Sequence, residues 1–304
     1  MSDKDGQRIP LGKRLSHRAV DVVARGLIGL ALALPYKTRV AFMGWFVSKV
    51  IGPLAGYHRR ARAHLALIYP DMPQAERRRI ATGCLNNVGR ALIENYSSTE
   101  FLEYMKDKPI EGEGLAALQE ACASGRPVIL QTGHFGNYEA PRAILYAMGI
   151  APGGIYREMT NPYFHEHYVM TLKAYGGPAF PRGLQGTRGV LKHLKSGGQL
   201  IILNDQHEWG APVLDFLGHP ACTSLSPAEF ALRFDALVVP FFGIRNPDGL
   251  TFRCVVEAPI PPSDAETMTQ AMNDRLAARI RETPEQWFWV PRRWRPPAAT
   301  DGQP

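Results

Sequence analysis

The chain has 304 residues, 45% of them hydrophobic and 21% charged, which is enough apolar content to bury the core of one large domain or two small ones. Its formal net charge of +7 is uneven: residues 1–62 hold twelve Lys/Arg against three acids, a local +9, while the remainder carries −2. Four separated cysteines (Cys84, Cys122, Cys222, Cys254) form no Cys-x-x-Cys pair, which argues against a disulfide scaffold or zinc site and for a reduced protein facing the cytosol.

Residues 1–18 read as a basic N-terminal tail. Ala19 to Leu34 (AVDVVARGLIGLALAL) is apolar but shorter than the roughly 20 residues a span requires, and Asp21 and Arg25 interrupt it. These two fall on one helical stripe with Arg18. A second apolar segment, Val40 to Ser48, sets Phe42, Met43, Trp45 and Phe46 between Arg39 and Lys49, a pattern suited to a headgroup boundary. Residues 19–58 are therefore expected to form membrane-associating helices, attracted to anionic lipid by roughly 1 kcal/mol per nearby Lys or Arg. Ordinary core helices are one alternative. A cleaved signal with Ala31-Leu32-Ala33 as its site is another, opposed by the charges within its apolar region. Nucleic acid is not the expected partner, because no zinc-finger spacing, RNP-like motif or heptad-linked basic helix accompanies the basic stretch.

From residue 59 helical and strand patterns alternate. Helices are expected over Gln74–Tyr96, Gly114–Ala123, Tyr138–Met148, Tyr163–Lys173, Thr187–Leu194, Ser226–Phe234 and Ser263–Glu282. Strands are expected over Val128–Gln131, Gly154–Tyr156, Gln199–Leu203, Leu237–Gly243 and Thr251–Glu257. Such alternation predicts an α/β fold: a single domain over 59–296 with a largely parallel central sheet flanked by helices, plus the N-terminal helical segment. The proline- and alanine-rich residues 297–304 read as a disordered tail.

Chemistry concentrates where strands end, as expected of parallel sheets. His134-Phe135-Gly136-Asn137-Tyr138-Glu139 follows the apolar run Pro127 to Gln131 and precedes a helical pattern. A neutral imidazole at such a point suits a general base, with the Glu139 carboxylate fixing its tautomer and stabilising the imidazolium. Arg157 and Asp205 also follow strand signals, so all three converge on one rim; capping and plain surface roles are their alternatives. Other motifs carry less. Gly112-Glu113-Gly114-Leu115-Ala116-Ala117 matches a dinucleotide pattern, but no acidic ribose ligand ends the next strand, so a turn before a helix is expected. His165-Glu166-His167 reads as a solvated helix face rather than a metal site, and a Gly-x-Ser-x-Gly elbow is absent. The segment Trp287-Phe288-Trp289 with Arg292, Arg293 and Trp294 is either a helix end packed on the core or an aromatic-basic edge holding phosphorylated lipid.

These pieces occur in a familiar order: Arg59-Arg60-Ala61-Arg62 ahead of Tyr69-Pro70, His134 to Glu139, Tyr156-Arg157 with Asn161-Pro162, Leu194 to Gly198, Asn204-Asp205-Gln206, Phe216 to Thr223, and Pro284 to Trp289 with Arg292-Arg293-Trp294. In this the chain resembles the late lipid A acyltransferases, the lauroyl- and myristoyl-transferring branch of the lysophospholipid acyltransferase-like superfamily. It departs from that pattern at His64 and Pro291, where the family has Asn and His, and it lacks a clean match to a family Arg for which Lys173 and Arg182 are candidates.

The resemblance implies a membrane-associated O-acyltransferase of lipopolysaccharide biosynthesis at the cytoplasmic face of the bacterial inner membrane. Acyl carrier protein would supply an acyl thioester, and a lipid A precursor hydroxyl would accept the chain. His134 and Glu139 would be catalytic, Arg157, Asp205, Asn161, Arg292 and Arg293 would bind substrate or support the site, and neither cofactor nor metal is called for. Acyl transfer to an aminolipid or lysophospholipid, and a non-catalytic lipid-binding membrane protein, are the competing readings.

Overall fold

A computed structural model describes residues 10–159 and 161–294, so half of the expected basic tail and all of the expected disordered tail lie outside the described residues. The first helix, α1 (Leu11–Leu32), starts earlier than its apolar run, so residues 11–18 are helical rather than a tail. α2 (Tyr36–Phe46) continues through a π turn (Val47–Ile51) into α3 (Gly52–Leu54), and α4 (Tyr57–Ile68) follows. Then come α5 (Gln74–Tyr96), α6 (Ser98–Met105), β1 (Ile110–Glu111), α7 (Leu115–Ala123) and β2 (Val128–Thr132). The middle of the chain forms α8 (Glu139–Ala147), β3 (Gly153–Tyr156), α9 (Pro162–Lys173), β4 (Ala179–Pro181), α10 (Leu184–Lys195) and β5 (Gln199–Leu203). A hairpin of β6 (Val213–Phe216) and β7 (His219–Cys222) precedes α11 (Ser226–Phe234), β8 (Leu237–Arg245), β9 (Phe252–Val256), α12 (Ala265–Glu282) and a 3-10 turn (Pro284–Gln286).

Seven strands form one sheet in the order β1-β9-β8-β2-β5-β3-β4. All neighbours are parallel except β8 and β9, which the short 246–251 connection joins as an antiparallel pair. The central strands β2 and β8 are buried almost throughout, which is why they read as continuous apolar runs rather than alternating ones. Helices cover both faces, and the predicted α/β architecture is the observed one. The spans of α5, α11 and β5 coincide with those read from the sequence. β1 and β4, at two and three residues, are too short to carry a period, and the polar β6–β7 hairpin carried no apolar run.

The N-terminal segment is not separate from the body. α2 lays Val40 and Met43 with Val47 against Ile93 of α5, and Ile28 and Ala31 of α1 join the same cluster. Residues 19–58 therefore contribute to the core as well as to the surface. Among the described residues no single helix is long and apolar enough to cross a membrane. One pair, Tyr36–Leu54 with Tyr57–Ile68, passes that test jointly but is bent by 88°.

Candidate active site

β2 and β5 are adjacent and parallel, with Thr132 opposite Leu203. Two residues beyond that pair stand His134 on one strand end and Asp205 on the other. The register thus sets them side by side, and His134 Nδ1 lies 2.8 Å from Asp205 Oδ1. Asp205 Oδ2 accepts the backbone N–H of His134 at 2.7 Å and the indole N–H of Trp287 at 2.8 Å. A carboxylate can only accept, so His134 carries its proton on Nδ1 and leaves Nε2 unprotonated, 3.4 Å from Gln206 Nε2. Gly133 permits this close approach: a Cβ there would stand 2.5 Å from Leu276 Cδ2 and 3.0 Å from Asp205 Oδ2.

The turn after His134 is anchored on several sides. Phe288 N–H donates to His134 carbonyl oxygen, Gly136 N–H to that of Gln286, and Asn137 N–H to that of Gly243, each at 2.9 Å. Gly136 has φ +55°, and a Cβ there would meet the Gly243 oxygen at 1.9 Å, so the bend admits only glycine. Asn137 Nδ2 donates to Glu94 at 2.7 Å, and Glu94 forms a buried bidentate pair with Arg245, both contacts at 2.6 Å.

Electrostatics follow from this geometry. Burial lowers the pKa of His134, but the charge and hydrogen bond of Asp205 more than offset it, and the net shift is upward. Burial likewise disfavours the Asp205 carboxylate, yet the interactions with His134 and Trp287 outweigh it and the pKa falls below the usual range. The pair is charged-form friendly: an imidazolium created during reaction is stabilised where it forms. Asp205 is almost wholly buried, while about 32% of the His134 side chain remains accessible.

That accessible face opens on a cavity of about 630 Å³ at the carboxyl ends of the strands. His134, Arg157, Arg182 and Gln206 give its wall polar groups, and residues such as Ile155 and Phe230 give it apolar ones. Its volume lies within the roughly 300–1,000 Å³ usual for ligand sites. Arg182 forms an ion pair with Glu208. Arg157 is exposed and makes no hydrogen bond or ion pair among the described residues.

Other expected site residues stand elsewhere. Glu139 makes no hydrogen bond to His134. Its buried carboxylate accepts from Arg142 one helical turn on, at 3.1 and 3.3 Å, beside a separate cavity of about 50 Å³. The reason is the Gly136 bend, after which α8 starts at Glu139 and carries that side chain away from Nδ1. Burial pushes the Glu139 carboxyl up, and Arg142 only partly opposes it. Asn161 caps α9, accepting from the N–H groups of Tyr163 and Phe164, and donates to the His17 carbonyl of α1 at 2.8 Å. Arg293 is fully buried rather than at a lipid-facing edge, and bonds the Cys222 carbonyl and the Thr223 hydroxyl, both at 2.6 Å. Arg292 is exposed and does not line the cavity. The tryptophan block is core: Trp287 and Trp289 are buried against Trp294 and Phe216. His165 and His167 are packed rather than solvated, their rings turned to Tyr156 and Tyr96 respectively.

Residues 14–296 match the family described as bacterial lipid A biosynthesis acyltransferase. The chain belongs to this family. It is 26% identical over 283 residues to the lipid A biosynthesis lauroyltransferase of Escherichia coli K12, covering 89% of each chain. A lipid A biosynthesis acyltransferase of Haemophilus influenzae is 27% identical over 245 residues, covering 77% of this chain and 76% of the relative. The E. coli lipid A biosynthesis myristoyltransferase is 22% identical over 240 residues, covering 76% and 73%. As a member of the lipid A biosynthesis acyltransferase family the protein is an acyltransferase, and a purely lipid-binding role is set aside. Trp287 and Gln206 stood within the quoted sequence pieces but were not among the expected site residues, and the structure puts both against the His134–Asp205 pair. The signal available for Asp205 as the imidazole's partner was positional: it follows β5 as His134 follows β2, by two residues.

Proposed function

We propose that this acyltransferase moves a fatty acyl chain from an acyl carrier protein thioester to a hydroxyl of a lipid A precursor. One observation carries the reading: a histidine with its Nδ1 proton held by a buried carboxylate aims its unprotonated nitrogen into a large, partly apolar cavity. His134 Nε2 takes the hydroxyl proton as the oxygen attacks the thioester carbonyl, and Asp205 orients the ring and stabilises its cation. Both substrates bind together, so no acyl-enzyme is required and positioning supplies much of the rate. Glu139 supports the fold of α8 through Arg142 instead of relaying charge.

The reaction is placed at the cytoplasmic face of the inner membrane. Support comes from α1, which exposes large apolar side chains beside basic ones. Asp21 is buried together with Ile28 and Ala31, whereas Val22, Val23 and Leu30 are 68%, 71% and 73% exposed. Exposed valine and leucine interleaved with exposed Lys13, Arg14, Arg18 and Arg25 suit an anionic lipid surface. The test is a transfer assay with purified full-length protein, acyl carrier protein thioester and lipid A precursor. Product is expected from the wild type and not from His134→Ala. Transfer to a lysophospholipid or aminolipid in place of the lipid A precursor would replace the proposed acceptor.

A further inference from the structure

Gln206 follows Asp205 on the cavity wall and is exposed there. Its carboxamide Nε2 lies 3.4 Å from His134 Nε2, and it makes no other side-chain hydrogen bond among the described residues. Because the Nδ1–H donates to Asp205, Nε2 is unprotonated, and the carboxamide donates to the very lone pair that an acceptor hydroxyl must use. The backbone beneath it is held from inside the protein. Arg293, 0% exposed, reaches the Gln206 carbonyl at 3.4 Å while fixed on Cys222 and Thr223.

We propose that Gln206 is a catalytic residue of this acyl transfer, its carboxamide N–H groups donating to the thioester carbonyl oxygen as negative charge builds there. This rests on the reading of His134 as the base. A hydroxyl oxygen placed about 2.8 Å from Nε2 takes over that lone pair, so the carboxamide swings aside and its N–H groups are released. The attacked carbonyl then lies beside that oxygen, within reach of the same donors. In the step itself the hydroxyl oxygen bonds to the carbonyl carbon while its proton passes to His134 Nε2. The carbonyl electron pair becomes an oxyanion facing Gln206. Collapse restores the C=O bond, breaks the C–S bond, and the departing thiolate takes the proton from His134, so the ester and the free thiol account for every atom.

A neutral donor suits this position. A cation in direct contact with Nε2 would lower the basicity of the imidazole, whereas a carboxamide stabilises the oxyanion without that effect. The nearest alternatives differ in this respect: Arg157 is charged, and Arg182 is both charged and paired with Glu208.

The experiment compares wild type, His134→Ala, Gln206→Leu and Gln206→Glu as full-length proteins in the transfer assay, with melting temperatures recorded in parallel. Gln206→Leu is expected to lose about 10²–10³-fold in kcat, the effect of removing one oxyanion donor, with KM for both substrates changed only a few-fold and melting unchanged. Gln206→Glu keeps the shape, loses the donors and sets a carboxylate beside Nε2. Its kcat should stay low, and the acid limb of its pH profile should move upward, a shift that a merely structural role would not produce. Wild-type kcat in Gln206→Leu beside an inactive His134→Ala overturns this proposal and leaves the base intact. An active His134→Ala overturns the base, and this proposal with it. An unshifted acid limb in Gln206→Glu also counts against the carboxamide lying at Nε2.

Discussion

His134 and Asp205 lie 71 residues apart and meet because β2 and β5 run parallel with Thr132 opposite Leu203. Each chain segment leaves its strand and, two residues later, presents a side chain toward the other. The pair is fixed by sheet register, and Trp287 closes it from a third segment with an indole N–H.

His134→Ala and Asp205→Ala should each reduce kcat by about 10²–10⁴-fold, the usual range for a positioned general base. The double variant should be scarcely slower than His134→Ala, since the two act as a unit. Additive losses in single-turnover rates would separate their roles.

The pH dependence has a definite sign. The base must be neutral, so kcat/KM should rise with pH through a titration lying above the ordinary histidine value, because Asp205 raises it. Asp205→Asn removes the charge that favours the imidazolium, so its acid limb should move to lower pH while its maximum falls. For stability, a raised folded pKa means that the His134 interaction stabilises fully below the unfolded histidine value and is lost as pH rises through the folded one. The lowered pKa of Asp205 gives the opposite window: its contribution is present above the unfolded carboxylate value and is lost as pH falls through the folded one. Denaturant titrations of wild type and Asp205→Asn across pH 3–9 read both.

Glu139→Ala leaves Arg142 buried without its partner, a change expected to cost about 3–5 kcal/mol in denaturant unfolding. The acid limb of whatever activity remains should stay at its wild-type position, because Glu139 does not bond the imidazole. A limb displaced in Glu139→Gln would restore Glu139 as the partner of His134.

Breaking the support under the turn that follows His134 should act through stability too. Arg245→Met strands Glu94, which is 0% exposed and anchors Asn137, at a cost of about 3–5 kcal/mol. Unfolding midpoints of Arg245→Met and of Glu94→Leu/Arg245→Met distinguish a stranded charge from lost packing, since the double variant should recover part of the loss.

Val23→Asp with Leu30→Asp places charge on the exposed apolar face of α1 and leaves the buried contacts of Ile28 and Ala31 in place. Flotation with anionic phospholipid vesicles should fall severalfold at an unchanged melting temperature. Deleting the segment altogether is a poorer test, because Val40 and Met43 of α2 pack on Ile93 and their loss opens the core.

Periodicity and punctuation were legible without any coordinates. The α/β alternation, the 23-residue span of α5, the buried strands β2 and β5, and His134 and Asp205 at strand ends all follow from local patterns of apolar spacing and turn residues. Local patterns also suggested Glu139 as the partner of His134, since a carboxylate five residues on lies near in sequence. Tertiary structure decided otherwise, because a glycine at φ +55° turns the chain before α8 and parallel register brings Asp205 alongside instead. The same holds for Arg293 and Trp287, which the sequence left open between core packing and a lipid-facing edge and which are interior. Composition and spacing report the environment a side chain can tolerate, whereas which group it meets across 70 residues or more depends on strand pairing and on how the loops return.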